Sequence, residues 1–182
     1  LLPTAGISGV QRLLLVGCGK ESEMNERVFT RVINSIASAL DASGARDAEI
    51  YPADIALKGR DLAWKVRHCV LLLANGEYRF DRLKSEKPAA RKGLRKIAVN
   101  VDAKSADAAR QAINEGSAIS AGMSLTRDLG NLPANVCTPT YLAQQARALA
   151  KSDKRLRVNV LDEADMKKLK MGSLLSVSAG SR

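Results

Sequence analysis

Between Ser105 and Leu132 the chain runs without a proline and is dominated by Ala, Gln, Glu, Arg and Leu. Ala109, Ala112, Ile113, Ile119, Met123 and Leu129 recur at roughly helical spacing. Ser105, with Asp107 two residues on, marks a helix start. Pro133 then stops the run, because the residue before a proline is pushed out of the α region. Asn135 and Pro139 follow at once, and Thr138 is placed to cap a new helix with Pro139 at its first position. The spacing therefore predicts a long helix over 105–132, a rigid elbow over 132–137 and a second helix over 140–151. On physics alone the elbow is a hinge between two domains.

Upstream of the elbow, strands and helices alternate. Arg12–Val16 reads as a short apolar strand, and a helix is expected from Asn25 to Ser43, with Val28, Val32, Ile33, Ile36, Ala39 and Leu40 on one face and Gly44 as its C-cap. Ala48–Tyr51 is a second strand, closed by Pro52. A helix from Arg60 to about Phe80 turns Leu62, Val66, Cys69, Val70, Leu73 and Ala74 inward. Lys96–Val101 is the next strand. Beyond the elbow, Leu156–Val160 alternates as a strand, Asp162–Leu169 is a short helix and Met171–Val177 is apolar. Such alternation predicts a mostly parallel sheet between helices.

Composition bounds the rest. With 182 residues the chain holds one core plus part of another. Aromatic residues make up only 3%, so Leu, Val, Ile and Ala must build the interior. No apolar run approaches the ~20 residues that span a bilayer. The opening residues LLPTAGISGV have neither a basic region nor a cleavage pattern, so no signal peptide is expected. There is no initiating methionine, and the chain reads as processed or as a fragment. Cys18, Cys69 and Cys137 are odd in number and far apart, which suits a reducing cytoplasm rather than a disulfide framework. His68 adjoins Cys69, but neighbours on a helix point about 100° apart, which disfavours a Cys-His pair. Trp64 reads as a packing residue.

Three chemistries compete with bland alternatives. Asp162, Glu163 and Asp165 could ligate a hard cation, or could cap and complement the first turn of a helix, which is the preferred reading. Gly17 and Gly19 could approach a phosphate at a helix N-terminus, but Ser22 stands where a third glycine belongs, so a tight turn is preferred. The net charge is +10. Arg79, Arg82, Lys84, Lys87, Arg91, Lys92, Arg95 and Lys96 face only Asp81 and Glu86, in a stretch that Pro88 and Gly93 keep from being helical. That loop is a candidate contact for duplex DNA, since phosphate contacts dominate non-specific affinity. The scarcity of aromatics argues against single-strand binding.

Four blocks in order carry a family resemblance. Arg127-Asp128-Leu129-Gly130-Asn131-Leu132-Pro133-Ala134-Asn135, with Thr138-Pro139 and Leu142-Ala143, resembles the R-D-L-x-N-x-P-x-N…T-P…L-A segment of the leucyl (cytosol) aminopeptidase family. Val160-Leu161-Asp162-Glu163, Met171-Gly172-Ser173-Leu174-Leu175-Ser176-Val177 and Gly180-Ser181 resemble its V-L-D-E…M-G-A-L-L-A-V-G-x-G-S. Tyr78-Arg79-Phe80-Asp81 with Lys84-Ser85 fits upstream, and Arg12–Lys20 is similar to R-V-L-L-V-G-L-G-K.

The resemblance implies a macrodomain-like N-terminal α/β domain over 1–104, incomplete at its start, a connecting helix over 105–132, and the start of a catalytic α/β domain over 133–182. It implies a parent enzyme that releases N-terminal amino acids, Leu preferred, from peptides in intracellular protein turnover. It further implies two divalent ions (Mn or Zn), a homohexamer and a cytoplasmic location. The family's metal-site segments, V-G-K-G-x-x-F-D-x-G-G and N-T-D-A-E-G-R-L, do not occur in this sequence. No catalytic or metal-binding residue of the family can therefore be placed on it, and the chain alone is expected to bind no metal and to be inactive. ADP-ribose or nucleotide binding through the Gly17–Gly19 loop is a further expectation of the macrodomain likeness. A free fragment is expected to expose Leu174, Leu175 and Val177.

Overall fold

Helix α1 (Glu26–Ser43) shows how local chemistry sets the elements. The Asn25 side chain accepts from the Val28 N–H at 3.1 Å, satisfying one of the first-turn donors. Gly44 ends the helix at φ 64°, a left-handed conformation that glycine adopts without a Cβ penalty. Both termini fall where the sequence places them.

The computed structural model describes residues 2–3, 9–86 and 94–180. Its elements in chain order are β1 (Leu2–Pro3), β2 (Arg12–Leu13), α1, β3 (Asp47–Ile50), α2 (Leu62–Glu77), β4 (Lys96–Val99), α3 (Ala106–Asn131), α4 (Pro139–Ser152), α5 (Glu163–Lys168) and α6 (Gly172–Ser178). The chain divides into two compact units, 1–128 and 129–182.

The sheets are smaller than the sequence pattern suggests. β1 and β2 pair antiparallel, Leu2 with Leu13. β3 and β4 pair parallel, from Asp47 with Lys96 to Ile50 with Val99. The single mostly parallel sheet expected from the alternation is thus, among the described residues, two separate two-stranded sheets. The strand expected at Arg12–Val16 keeps only its first two residues, because the antiparallel ladder stops at Leu13. The segment 156–160 is not a strand, because nothing among the described residues pairs with it. A strand is defined by its ladder, and alternation alone cannot supply one.

In the first unit, Phe29 and Ile33 of α1, Ile50 of β3, Leu57, and Cys69 and Leu73 of α2 form one core, with Ile97 and Val99 of β4 packed against it. Burying Phe29 completely is worth about 1.5–3 kcal/mol over leaving it in water. A second core joins Val66 of α2 to Ala109 and Ala112 of α3. Helix α2 therefore has two buried sides. It starts at Leu62 with Asp61 accepting from the Trp64 N–H at 2.8 Å. It ends at Glu77 rather than near Phe80, since Tyr78 is already extended (φ −60°, ψ 131°).

One buried residue has no signal in the sequence. Lys65 is only 8% exposed, and its Nζ donates to the carbonyls of Ala53 and Ile55 at 2.9 and 3.0 Å. The ammonium thereby staples the turn that follows β3 onto α2.

Helices α2 and α3 approach closely at Gly116. A Cβ there would stand 2.9 Å from the Val70 Cβ and 3.1 Å from the Arg67 carbonyl oxygen, neither of which can swing aside. The Arg67–Glu115 ion pair, at 2.6 Å, lies beside this crossing. A hydrogen bond from Gln111 and then the Arg67 guanidinium hold the Glu115 carboxyl below its ordinary pKa.

In the second unit, α4 begins at Pro139 with Thr138 accepting from the Tyr141 N–H at 3.2 Å, as the sequence predicts. The elbow before it is closed by Val136 and Cys137, which both donate to the Pro133 carbonyl at 2.9 Å. The crossing at Gly116 yields an opposed pair of predictions, read by chemical denaturation. Gly116→Ala should destabilise by about 1–3 kcal/mol through overpacking. Gly122→Ala, on the same helix with open space around it, should instead stabilise by up to about 1 kcal/mol.

Candidate functional site

The structure splits the basic segment rather than presenting it whole. Arg79 turns back on the end of α2, its Nη1 donating to the carbonyls of Gly76 and Tyr78 at 3.1 and 2.9 Å. Such a contact satisfies helix-end acceptors and complements the negative end of the dipole. Lys84 pairs with Asp81 at 2.5 Å, and Arg95 lies 3.7 Å from Asp47. Arg82 also has an interaction within the protein. Lys96 opens β4 and is exposed. Lys87, Arg91 and Lys92 lie outside the described residues.

Arg79, Arg95 and Lys96 are among the residues that line a cavity of about 630 Å³. Ala37, Cys69, Leu73, Ile97, Val99 and Ile113 give its lining an apolar part. Asp41 and Glu77 line it as well, so the lining carries both signs of charge. Such a cavity has the volume of a small-molecule site. However, Arg79 is committed to carbonyls and Arg95 lies near a carboxylate, which leaves little convergent charge for an anion.

The Gly17–Gly19 loop does not form a phosphate cradle. Gly19 is left-handed at φ 79°, which suits a turn. A single helical turn at Glu21–Glu23 separates the glycines from α1, and the N-terminus of α1 is already capped by Asn25. Glu23 lies 3.9 Å from Lys20, and Glu26 pairs with Arg60. The Cys18 thiol donates to the Val16 carbonyl at 3.6 Å.

The carboxylates near Asp162 are used locally. Asp162 accepts from the Asp165 N–H at 2.9 Å, and Asp165 accepts from the Asp162 N–H at 3.5 Å, a reciprocal capping box. Lys168 lies 3.9 Å from Asp165. Among the described residues, no three His, Cys, Asp or Glu side chains lie close enough together to hold a metal ion.

The Cys69–His68 neighbours do not form a catalytic pair. Burial pushes the Cys69 thiol up to about 12, against a smaller opposing pull from Lys65. A thiol so raised is a poor nucleophile. His68 instead stacks on Trp64, with ring centroids 3.9 Å apart. Trp64 also packs on Phe29 and carries the Arg60 guanidinium 5.0 Å from its ring centre, while Arg60 pairs with Glu26 of α1 at 2.5 Å.

What the motifs do hold together is a junction. Arg127 and Asp128 come from one block of the resemblance and Tyr78 from another, and the structure joins them. The Tyr78 hydroxyl donates to Asp128 at 2.9 Å. The Arg127 guanidinium lies 5.1 Å from the Tyr78 ring centre and donates to Asn75. This clasp ties the end of α2 to α3. No local signal reveals it, because its halves lie 50 residues apart.

Partial burial holds the His68 imidazole below its ordinary pKa; Glu26 opposes this, and Arg67 and Arg60 reinforce it. The unfolded chain takes up that proton near pH 6.5 and the folded chain only at lower pH, so the unfolded state binds more protons in between. Stability should therefore fall as pH drops below about 7 through that window. Melting temperatures measured from about pH 7.5 down to about 5.5 should decline, and His68→Gln should flatten the decline. An unchanged slope in the variant would refute this.

Comparison with known proteins agrees with the geometry. The model of the cytosol aminopeptidase family N-terminal domain matches residues 1–87, and that of the same family's catalytic domain matches 124–182. The "Probable cytosol aminopeptidase" of Alkalilimnicola ehrlichii is 47% identical over 94% of this chain and 35% of its own length. The "Cytosol aminopeptidase" of Pseudomonas aeruginosa is 46% identical over 94% and 34%. The chain thus spans about a third of the length of these curated relatives. The bottromycin maturation enzyme BotP, solved in complex with Mn, superposes with a TM-score of 0.73 at 26% identity, over 91% of this chain and 33% of BotP. A mutant of tomato leucine aminopeptidase shares the fold, with a TM-score of 0.69 at 24% identity over 86% of this chain and 31% of its own. With both domain models matched in order, and relatives covering nearly all of its length, the chain belongs to the cytosol aminopeptidase family.

Proposed function

We propose that this chain is the leading part of an aminopeptidase that releases N-terminal residues, leucine preferred, from peptides in intracellular protein turnover. The observation that carries the reading is the ordered match of both family domains on one chain, at 1–87 and 124–182. In this reading 1–104 is a macrodomain-like domain, 105–132 the connecting helix and 133–182 the start of the catalytic domain. The protein would work as a homohexamer in the cytoplasm.

Two divalent ions, Mn or Zn, would serve the parent enzyme by binding the peptide's amine and carbonyl and supplying an activated water. Asp162 and Asp165 cap α5. The metal-binding segments would lie in sequence beyond Arg182. The residues up to that point would scaffold the enzyme. Within the first unit, the Tyr78–Asp128 and Arg127–Asn75 contacts tie α3 to the end of α2.

Reading the coding DNA beyond the codon for Arg182 tests the proposal. The expected continuation carries a V-G-K-G-like strand and an N-T-D-A-E-G-R-L-like segment. The protein so extended should hydrolyse leucine p-nitroanilide, lose that activity to a chelator and regain it with Mn²⁺. An unrelated continuation, or an extended protein that is inactive with Mn²⁺ and Zn²⁺ alike, would overturn it.

A further inference from the structure

Trp64 is the chain's only tryptophan, and three other side chains share its ring. The His68 imidazole stacks on it, with 15° between the planes and 3.9 Å between the centroids. The Arg60 guanidinium lies 5.0 Å from the ring centre. The Phe29 ring of α1 tilts against it at 5.7 Å. Trp64 and His68 stand four residues apart and so share one side of α2. Arg60 stands ahead of the Asp61 cap, outside the helix.

Arg60 also reaches α1. Its Nε and Nη2 lie 2.7 and 2.5 Å from one oxygen of Glu26, the first residue of that helix. One side chain thereby links the beginning of α1 to Trp64 of α2.

The ring holds one cation and one group that can become a cation. With His68 neutral, the stack and the cation–π contact are compatible. With His68 protonated, two positive charges compete for one ring and repel each other. The other charged groups near His68 are already engaged. Arg67 pairs with Glu115 of α3 at 2.6 Å, and the Lys65 ammonium is turned to the carbonyls of Ala53 and Ile55. Burial opposes the proton on His68, Glu26 favours it, and Arg67 and Arg60 oppose it. Of the two competitors for the ring, Arg60 is the one that can yield. Its side chain is long and 41% exposed, whereas the imidazole is half-buried and held by two torsions on α2.

We propose that this cluster is a proton-operated switch: a proton on His68 drives Arg60 off Trp64, the imidazolium replaces it as the ring's cation, and α1 loses its link to Trp64. The device lies wholly within the first unit and is independent of the aminopeptidase reading.

The test is a proton NMR titration of the 182-residue chain from about pH 7.5 downward, across the range in which histidine titrates. An indole shifts protons above its face upfield, and this chain has a single indole to do so. The Arg60 Hδ protons should start upfield. They should return to their ordinary position with the same midpoint as His68 Hε1, below about 6.5. In His68→Gln they should stay upfield through that range. Arg60 protons that are never upfield, or that stay upfield while His68 titrates, overturn the proposal. A return with a carboxylate's midpoint, near about 4.3, overturns it as well, by assigning the change to Glu26. Loss of the upfield shift of the His68 ring protons with Arg60 still in place would mean that the stack opens instead. An imidazole that stays neutral until the chain unfolds, or an Arg60 titration unchanged in His68→Gln, is equally contrary. If the variant does not fold, the wild-type titration decides by itself.

Discussion

At Gly116, α3 comes so close to α2 that no side chain fits between them. With no side chain at Gly116, the Arg67 carbonyl and the Val70 side chain fill the space a Cβ would need. Helices that pack this tightly can bury small residues, and the second core is accordingly built from Val66, Ala109 and Ala112. The first core, on the other buried side of α2, uses the larger Phe29, Ile33 and Leu73. A chain with so few aromatics reaches adequate packing by placing its bulk on one side of α2 and its close approach on the other.

From that crossing a line of polar contacts follows α2 and α3 along their length. Arg67 meets Glu115, Asn75 meets Arg127, and Tyr78 meets Asp128. Each of these surface or half-buried contacts is worth little alone. Together they hold the same face of α3 towards α2 that Gly116 presents. The family motif around Arg127-Asp128 thereby acquires a structural role that does not require it to touch substrate. Within the basic segment, Arg79, Lys84 and Arg95 likewise contact acceptors or carboxylates of the protein itself.

Several readings of the sequence held because their cause is local. Thr138 and Asp162 each cap a helix through an N–H three residues on, so both partners fall in one short window. The capping box at Asp162 also decided between metal ligation and helix capping for the acidic cluster. Other readings failed because their cause is distant. Leu156–Val160 has a strand's alternation, but alternation specifies a face and not a partner. Lys65 carries no signal in the sequence, and only the turn at Ala53–Ile55 folding over α2 gives its ammonium two carbonyls and a buried site. The mostly parallel sheet was expected from the order of elements, and order does not say which strands find each other.

The sequence alone determined where most of the helices begin, that the chain breaks at Pro133, and which family it resembles. These depend on backbone sterics, on capping hydrogen bonds spanning three or four residues, and on ordered motifs. The tertiary structure alone decided that β3 pairs with β4 across about fifty residues, that Tyr78 finds Asp128, that Cys69 is too buried to act as a thiolate, and that 156–160 remains without a ladder among the described residues. The physical reason is the same in each case. These outcomes are set by groups far apart in the chain, and no local window holds both partners.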